Sequence, residues 1–96
     1  MMFDRAFFEQ DFLKQVRSFA QDQKVTSPVV ELLLDDGSLI YLRQILQIKE
    51  SWCALVVYDE SEPKQLFCPY YSVKRIAFYK NPPKHAKLKE LGFQLE

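Results

Sequence analysis

One histidine, two cysteines and two glycines leave little material for catalysis in this chain of 96 residues. No Ser-His-Asp grouping, glycine-rich phosphate loop or metal-ligand cluster can be assembled from them. Asp35 and Asp36 stand side by side, but acids before Gly37 are ordinary turn chemistry. His85 lies in a lysine-rich tail with no carboxylate or cysteine near it in sequence, and is expected to be solvated. Cys53 and Cys68 lack C-x-x-C spacing, and each sits in an apolar run where a thiol behaves as a small buried hydrophobe. The expectation is a non-enzyme without catalytic residues, metal or cofactor.

Aromatic and cationic residues offer a different chemistry. Trp52, Tyr70 and Tyr71 carry ring faces on which bases can stack, worth roughly 1–3 kcal/mol per base. Lys49, Lys74 and Arg75 can neutralise phosphates, each steepening the salt dependence of binding by about one unit. The same rings have a plainer reading, with Trp52 in the core and Tyr70 and Tyr71 packed at a subunit contact. Lys74 and Arg75 are consecutive in an extended run, so at most one of them faces a given surface.

The elements that must position these residues follow from the hydrophobic pattern. Two β-prone runs flank Asp35-Asp36-Gly37-Ser38 within 29–45, a hairpin signal in which Gly37 supplies positive φ. Strands are expected over 29–35, 39–48, 52–58, 65–68 and 73–79. Turns lie at Lys49-Glu50-Ser51, over 59–64 and at Tyr70-Tyr71-Ser72. The second run is apolar on both faces, as expected of a long strand that bends and is shared between two sides of a small barrel. Pro69 stops the fourth strand, and Asn81-Pro82-Pro83 ends the sheet. Before the strands, Phe3, Phe7, Phe8, Phe12, Val16, Phe19 and Ala20 recur at helical spacing, with Asp4 as an N-terminal cap. This helix, 3–21, is expected to pack on the end or side of the sheet; the alternative is a stripe that docks in a partner's groove. Pro28 hands the linker 22–28 over to the first strand. In the tail, 80–96, residues 85–91 are expected to make one or two helical turns, stopped by Gly92.

A chain of this length holds one core and therefore one domain, 1–96. It is mainly β: an N-terminal helix, a strongly bent five-stranded antiparallel SH3-like barrel over 29–79, and a basic tail. A sandwich would need about seven strands. Net charge is zero, yet 31–62 holds seven acids against Arg43 and Lys49, while 63–89 holds seven bases and no acid. A local field of that sign can meet phosphate on a neutral protein; the plain alternative is solvated surface lysines. No apolar run is long enough to span a bilayer and no leader pattern is present, so the cytoplasm is the expected location.

The segment Val29-Val30-Glu31-Leu32-Leu33-Leu34-Asp35-Asp36-Gly37-Ser38 resembles the first motif of the Sm/LSm family, which includes Hfq. Val73-Lys74-Arg75-Ile76 resembles the end of that family's second motif. The resemblance covers about 29–78, with the amphipathic helix in the usual place. It implies a homo-oligomeric ring of five to seven subunits, in which the fourth strand of one copy pairs with the fifth of the next. It also implies single-stranded nucleic acid, RNA ahead of DNA, bound without catalysis at loops around a pore, in a role such as RNA or DNA processing or chaperoning. Phe67, Cys68, Ile76 and Phe78 on those two strands are the expected interface residues, and apolar sheet edges independently call for such pairing.

The match has departures. Lys49 and Cys53 stand where the family has Asp and a base-contacting Asn, and Pro69-Tyr70 stands where it has Arg-Gly. Leu42 replaces a Gly that lets the long strand bend. The usual uridine pocket is not preserved, which suits a divergent lineage such as a viral one; Lys49, Trp52, Tyr70, Tyr71, Lys74 and Arg75 would take its place. The alternative function is an SH3-like interaction or scaffold module that grips a protein and stays monomeric or dimeric.

Overall fold

The computed structural model describes residues 3–95; Met1, Met2 and Glu96, which the single-domain and tail expectations also cover, lie outside the described residues. The chain opens with a helical stretch in two parts. A π-helical turn, Phe7–Asp11, runs into α1, Phe12–Gln23. Asp4 Oδ1 accepts the Phe7 N–H at 2.9 Å, the cap that the sequence suggests. The Phe12 N–H closes on the Phe7 carbonyl, and this wider turn lets Phe7, Phe8 and Phe12 approach one another on one side. The helix ends at Lys24, which takes the left-handed conformation (φ 57°) while the Val25 N–H bonds the Ala20 carbonyl.

Among the described residues there are five strands: β1 (Val29–Leu34), β2 (Leu39–Ile48), β3 (Trp52–Val57), β4 (Lys64–Pro69) and β5 (Val73–Tyr79). They form one antiparallel sheet in the order β4-β3-β2-β1-β5. Gly37, at φ 87°, carries the β1–β2 turn, and Asp36 Oδ1 accepts both the backbone N–H and the hydroxyl of Ser38. The long strand β2 bends without a glycine. Its pairing with β3 shifts register between Leu42 and Gln44 and again between Ile45 and Gln47, so two bulges supply the curvature. β4 and β5 occupy the two edges, and among the described residues no ladder joins them.

The inner face collects Val30 and Leu32 of β1, Leu42 of β2, Cys53, Leu55 and Val57 of β3, Cys68 of β4 and Val73 of β5. Phe8, Phe12 and Val16 press onto it from the helix, so the phenylalanine stripe is core. The tail departs from expectation. Residues 85–91 make no helix; the chain runs irregularly back across the sheet to bury Leu91 and Phe93. Phe93 meets Phe12 edge to face at 5.5 Å, its N–H donates to the Pro28 carbonyl, and Gln94 donates to Arg43. Gly92 ends no helix. It forms a bridge with Val29, and a Cβ there would lie 2.6 Å from the Cβ of Ser27.

Candidate nucleic-acid interface

Two turns at one end of the sheet are tied together. The Tyr70 N–H donates to the Ser51 carbonyl at 3.3 Å, and its hydroxyl donates to the Lys49 carbonyl at 2.6 Å. Lys49, Trp52 and the Tyr70–Ser72 turn thereby converge, although more than fifteen residues of chain separate the two turns. Arg5 adds a third element, reaching Glu50 at 2.9 Å and Glu9 at 3.3 Å. These exposed pairs are weak in free energy, but they partner an acid beside Lys49.

The individual side chains play different parts. Tyr70 is only 5% exposed and its ring stacks on Phe8 at 5.5 Å, so it has no free face for a base. Burial pushes its hydroxyl above the ordinary tyrosine value. Tyr71, next in sequence, is 60% exposed. Trp52 is half-buried and meets Phe67 edge to face at 5.6 Å on the outer face of β3 and β4. Lys49, Lys74 and Arg75 are exposed, and among the described residues none of them is in an ion pair. Simple alternation does not hold for Lys74 and Arg75: Leu33 faces Arg75 and Leu34 faces Val73, leaving Lys74 as a bulged residue.

Of the four residues on the edge strands, only Phe67 presents its side chain outward, at 64% exposure. Cys68 is buried, while Ile76 and Phe78 are half-buried against the core. Phe78 lies under the helix, touching Phe12 and Phe19.

The segregation of charge along the sequence is partly undone in space. Lys87 shares a cleft with Asp59 and Glu60, Lys89 lies with Glu62 and Glu90, and Lys64 approaches Asp59 at 3.9 Å. The basic tail thus folds back against the acidic β3–β4 turn, which leaves Lys49, Lys74 and Arg75 as the cations nearest the aromatic turns in sequence.

A second constellation was not legible as a site. Glu31, 2% exposed on the outer face of β1, accepts from Tyr41 at 2.8 Å and Tyr79 at 3.3 Å, and its Oε2 lies 2.6 Å from His85 Nε2. His85 is therefore not a freely solvated tail residue. Burial acts most strongly on Glu31 and raises its pKa. The three hydrogen bonds and the His85 charge together outweigh it, so the carboxyl lies below its ordinary range. Burial, then the Glu31 carboxylate, push Tyr41 and Tyr79 upward. A cleft of about 400 Å³ beside this cluster is lined by Tyr41, Tyr58, Asp59, Glu60, His85 and Leu88, among others. The available signal was the hairpin: a turn at 35–38 sets Glu31 opposite Tyr41. The meeting with His85 had no local signature. Among the described residues no group of three or more His, Cys, Asp or Glu side chains is placed to hold a metal ion.

No family model, curated protein or solved structure matches this chain.

Proposed function

We propose that this protein is a divergent Sm-like subunit that assembles head to tail into a ring and binds single-stranded RNA without catalysis. The observation that carries the reading is the strand order. β4 and β5 lie at opposite edges of one bent sheet, each with one side unpaired, so β4 of one copy can continue the sheet from β5 of the next. The β2–β3 and β4–β5 turns stand together at one end, and repetition around an axis would gather Tyr71, Trp52 and the cations Lys49, Lys74 and Arg75 about a hole. Stacking on Tyr71 and phosphate neutralisation by the cations would hold a flexible strand.

Light scattering tests the assembly and fluorescence anisotropy with short oligonucleotides tests the ligand. A ring of five to seven copies whose oligonucleotide affinity falls steeply between low and physiological salt is expected. A monomer at micromolar concentration ends the ring, and no binding at either salt ends the nucleic-acid role. The Trp52–Phe67 pair favours a second reading, an adaptor that seats a protein on the outer face of β4. That reading predicts a monomer or dimer indifferent to oligonucleotides.

A further inference from the structure

Cys53 and Cys68, without a motif between them in sequence, stand directly opposite each other in the β3–β4 ladder. Facing residues of an antiparallel pair project to the same side, with Cα atoms about 4.5–5.5 Å apart. That separation lies inside the roughly 4.4–6.8 Å window of a disulfide. Both are free thiols in the same core cluster, 0% and 5% exposed, and Cys53 Sγ lies 3.7 Å from the Cys68 carbonyl oxygen.

We propose that Cys53 and Cys68 form a reversible cross-strand disulfide, an oxidation site that staples edge strand β4 to β3. The oxidant is a small-molecule disulfide such as oxidised glutathione. Cys68 reacts first, because within its own subunit β4 is an edge strand held by one ladder, and it lifts locally to admit the reagent when no neighbouring copy is paired on its outer side. Its thiolate attacks one sulfur of the reagent, forming a mixed disulfide and releasing one reduced thiol. Cys53 then loses its proton and attacks the Cys68 sulfur, releasing the second reduced thiol. The two protein thiols give up two electrons and two protons, and the reagent disulfide takes them. Burial, then the neighbouring Cys68, push the Cys53 thiol up to about 12, so exchange is slow and Cys53 serves as the resolving partner. Cys68 gives up its 3.3 Å contact with Ser72 Oγ in the bridged form. The bridge lies within one subunit, so the staple itself needs neither the ring nor a ligand, while a neighbour paired on β4 would slow the reagent's entry.

The experiment uses the folded full chain, incubated with excess oxidised glutathione at mildly alkaline pH. The expected product has lost about 2 Da, carries no alkylatable thiol after denaturation, and yields one peptide pair joining Cys53 to Cys68. Its thermal midpoint lies more than about 5 °C above that of the reduced chain, and dithiothreitol reverses the change. Stable glutathione adducts, dimers linked between chains, or a bridge that forms only in denaturing urea would each overturn the proposal. So would a bridged form that melts below the reduced one.

Discussion

His85 Nε2 lies 2.6 Å from Glu31 Oε2 across 54 residues of chain, joining the tail to the outer face of β1. Glu31 has two further donors, Tyr41 and Tyr79, so its buried carboxylate holds three partners from β2, β5 and the tail. The two sides of the contact are unequal: the Glu31 side chain is 2% exposed and that of His85 51%. Replacing His85 by Ala leaves Glu31 with both tyrosines and costs about 1 kcal/mol. Replacing Glu31 by Ala strands two hydroxyls and costs about 2–4 kcal/mol. Urea titration orders the pair, and equal costs would contradict the asymmetry.

The same carboxylate sets an acid limit. Its pKa is lowered by folding, so its contribution is fully present above the ordinary value of 4.5 and is lost as pH falls through the lower folded value. Melting temperature should therefore drop as the pH is taken downward from 4.5, and Glu31→Gln should flatten that drop. A variant with the wild-type acid slope would remove Glu31 from the account.

The tail is part of the fold, because Phe93 fills the space beneath the helix. Phe93→Ala should cost about 3–5 kcal/mol, the usual loss for a buried ring. Deleting 80–96 should leave a chain that does not melt cooperatively, since the outer face of β1 and part of the inner core would be uncovered together. Circular dichroism melts distinguish this from a dispensable tail, for which deletion would change nothing.

The two glycines should respond for opposite reasons. At Gly37 an added Cβ meets open space, but φ of 87° makes Gly37→Ala cost about 1–2 kcal/mol through backbone strain. At Gly92 an added Cβ meets Ser27 Cβ at 2.6 Å and the Ser27 carbonyl oxygen at 3.0 Å. Gly92→Ala must therefore displace backbone. It should be the more damaging change and should loosen the tail, read as faster hydrogen exchange at Phe93 and Gln94.

What was legible in the sequence, and what was not, divides by range of interaction. All five strands, the Gly37 turn and the helix cap depend on periodicity or on residues within a few positions, and the sequence carries those signals directly. The bend of β2 was readable from apolar residues on both faces, although two bulges make it in place of a glycine. The tail was not readable. Leu91 and Phe93 are two apolar residues in a lysine-rich stretch with no period, and only the surface they cover explains them. Tyr70 and Tyr71 look alike in sequence, yet a single turn of 3-10 helix sends one inward and the other outward.

That split provides the sharpest test of the proposed interface. Tyr70 contributes its ring to the stack on Phe8 and its hydroxyl to the Lys49 carbonyl, so Tyr70→Ala should cost about 3–5 kcal/mol of stability. Tyr70→Phe, which keeps the ring, should cost about 1 kcal/mol. Tyr71 is exposed, so Tyr71→Ala should leave stability within about 0.5 kcal/mol of wild type. If Tyr71 stacks on a base, the same change should weaken oligonucleotide binding by about 1–3 kcal/mol, roughly five- to 150-fold. Anisotropy and urea titration on the three variants separate the roles. Should Tyr71→Ala bind as wild type does while the cation variants Lys49→Ala and Lys74→Ala also bind unchanged, the aromatic turn is not where a strand is held. The exposed Phe67 face of β4 then becomes the better place to look for a partner.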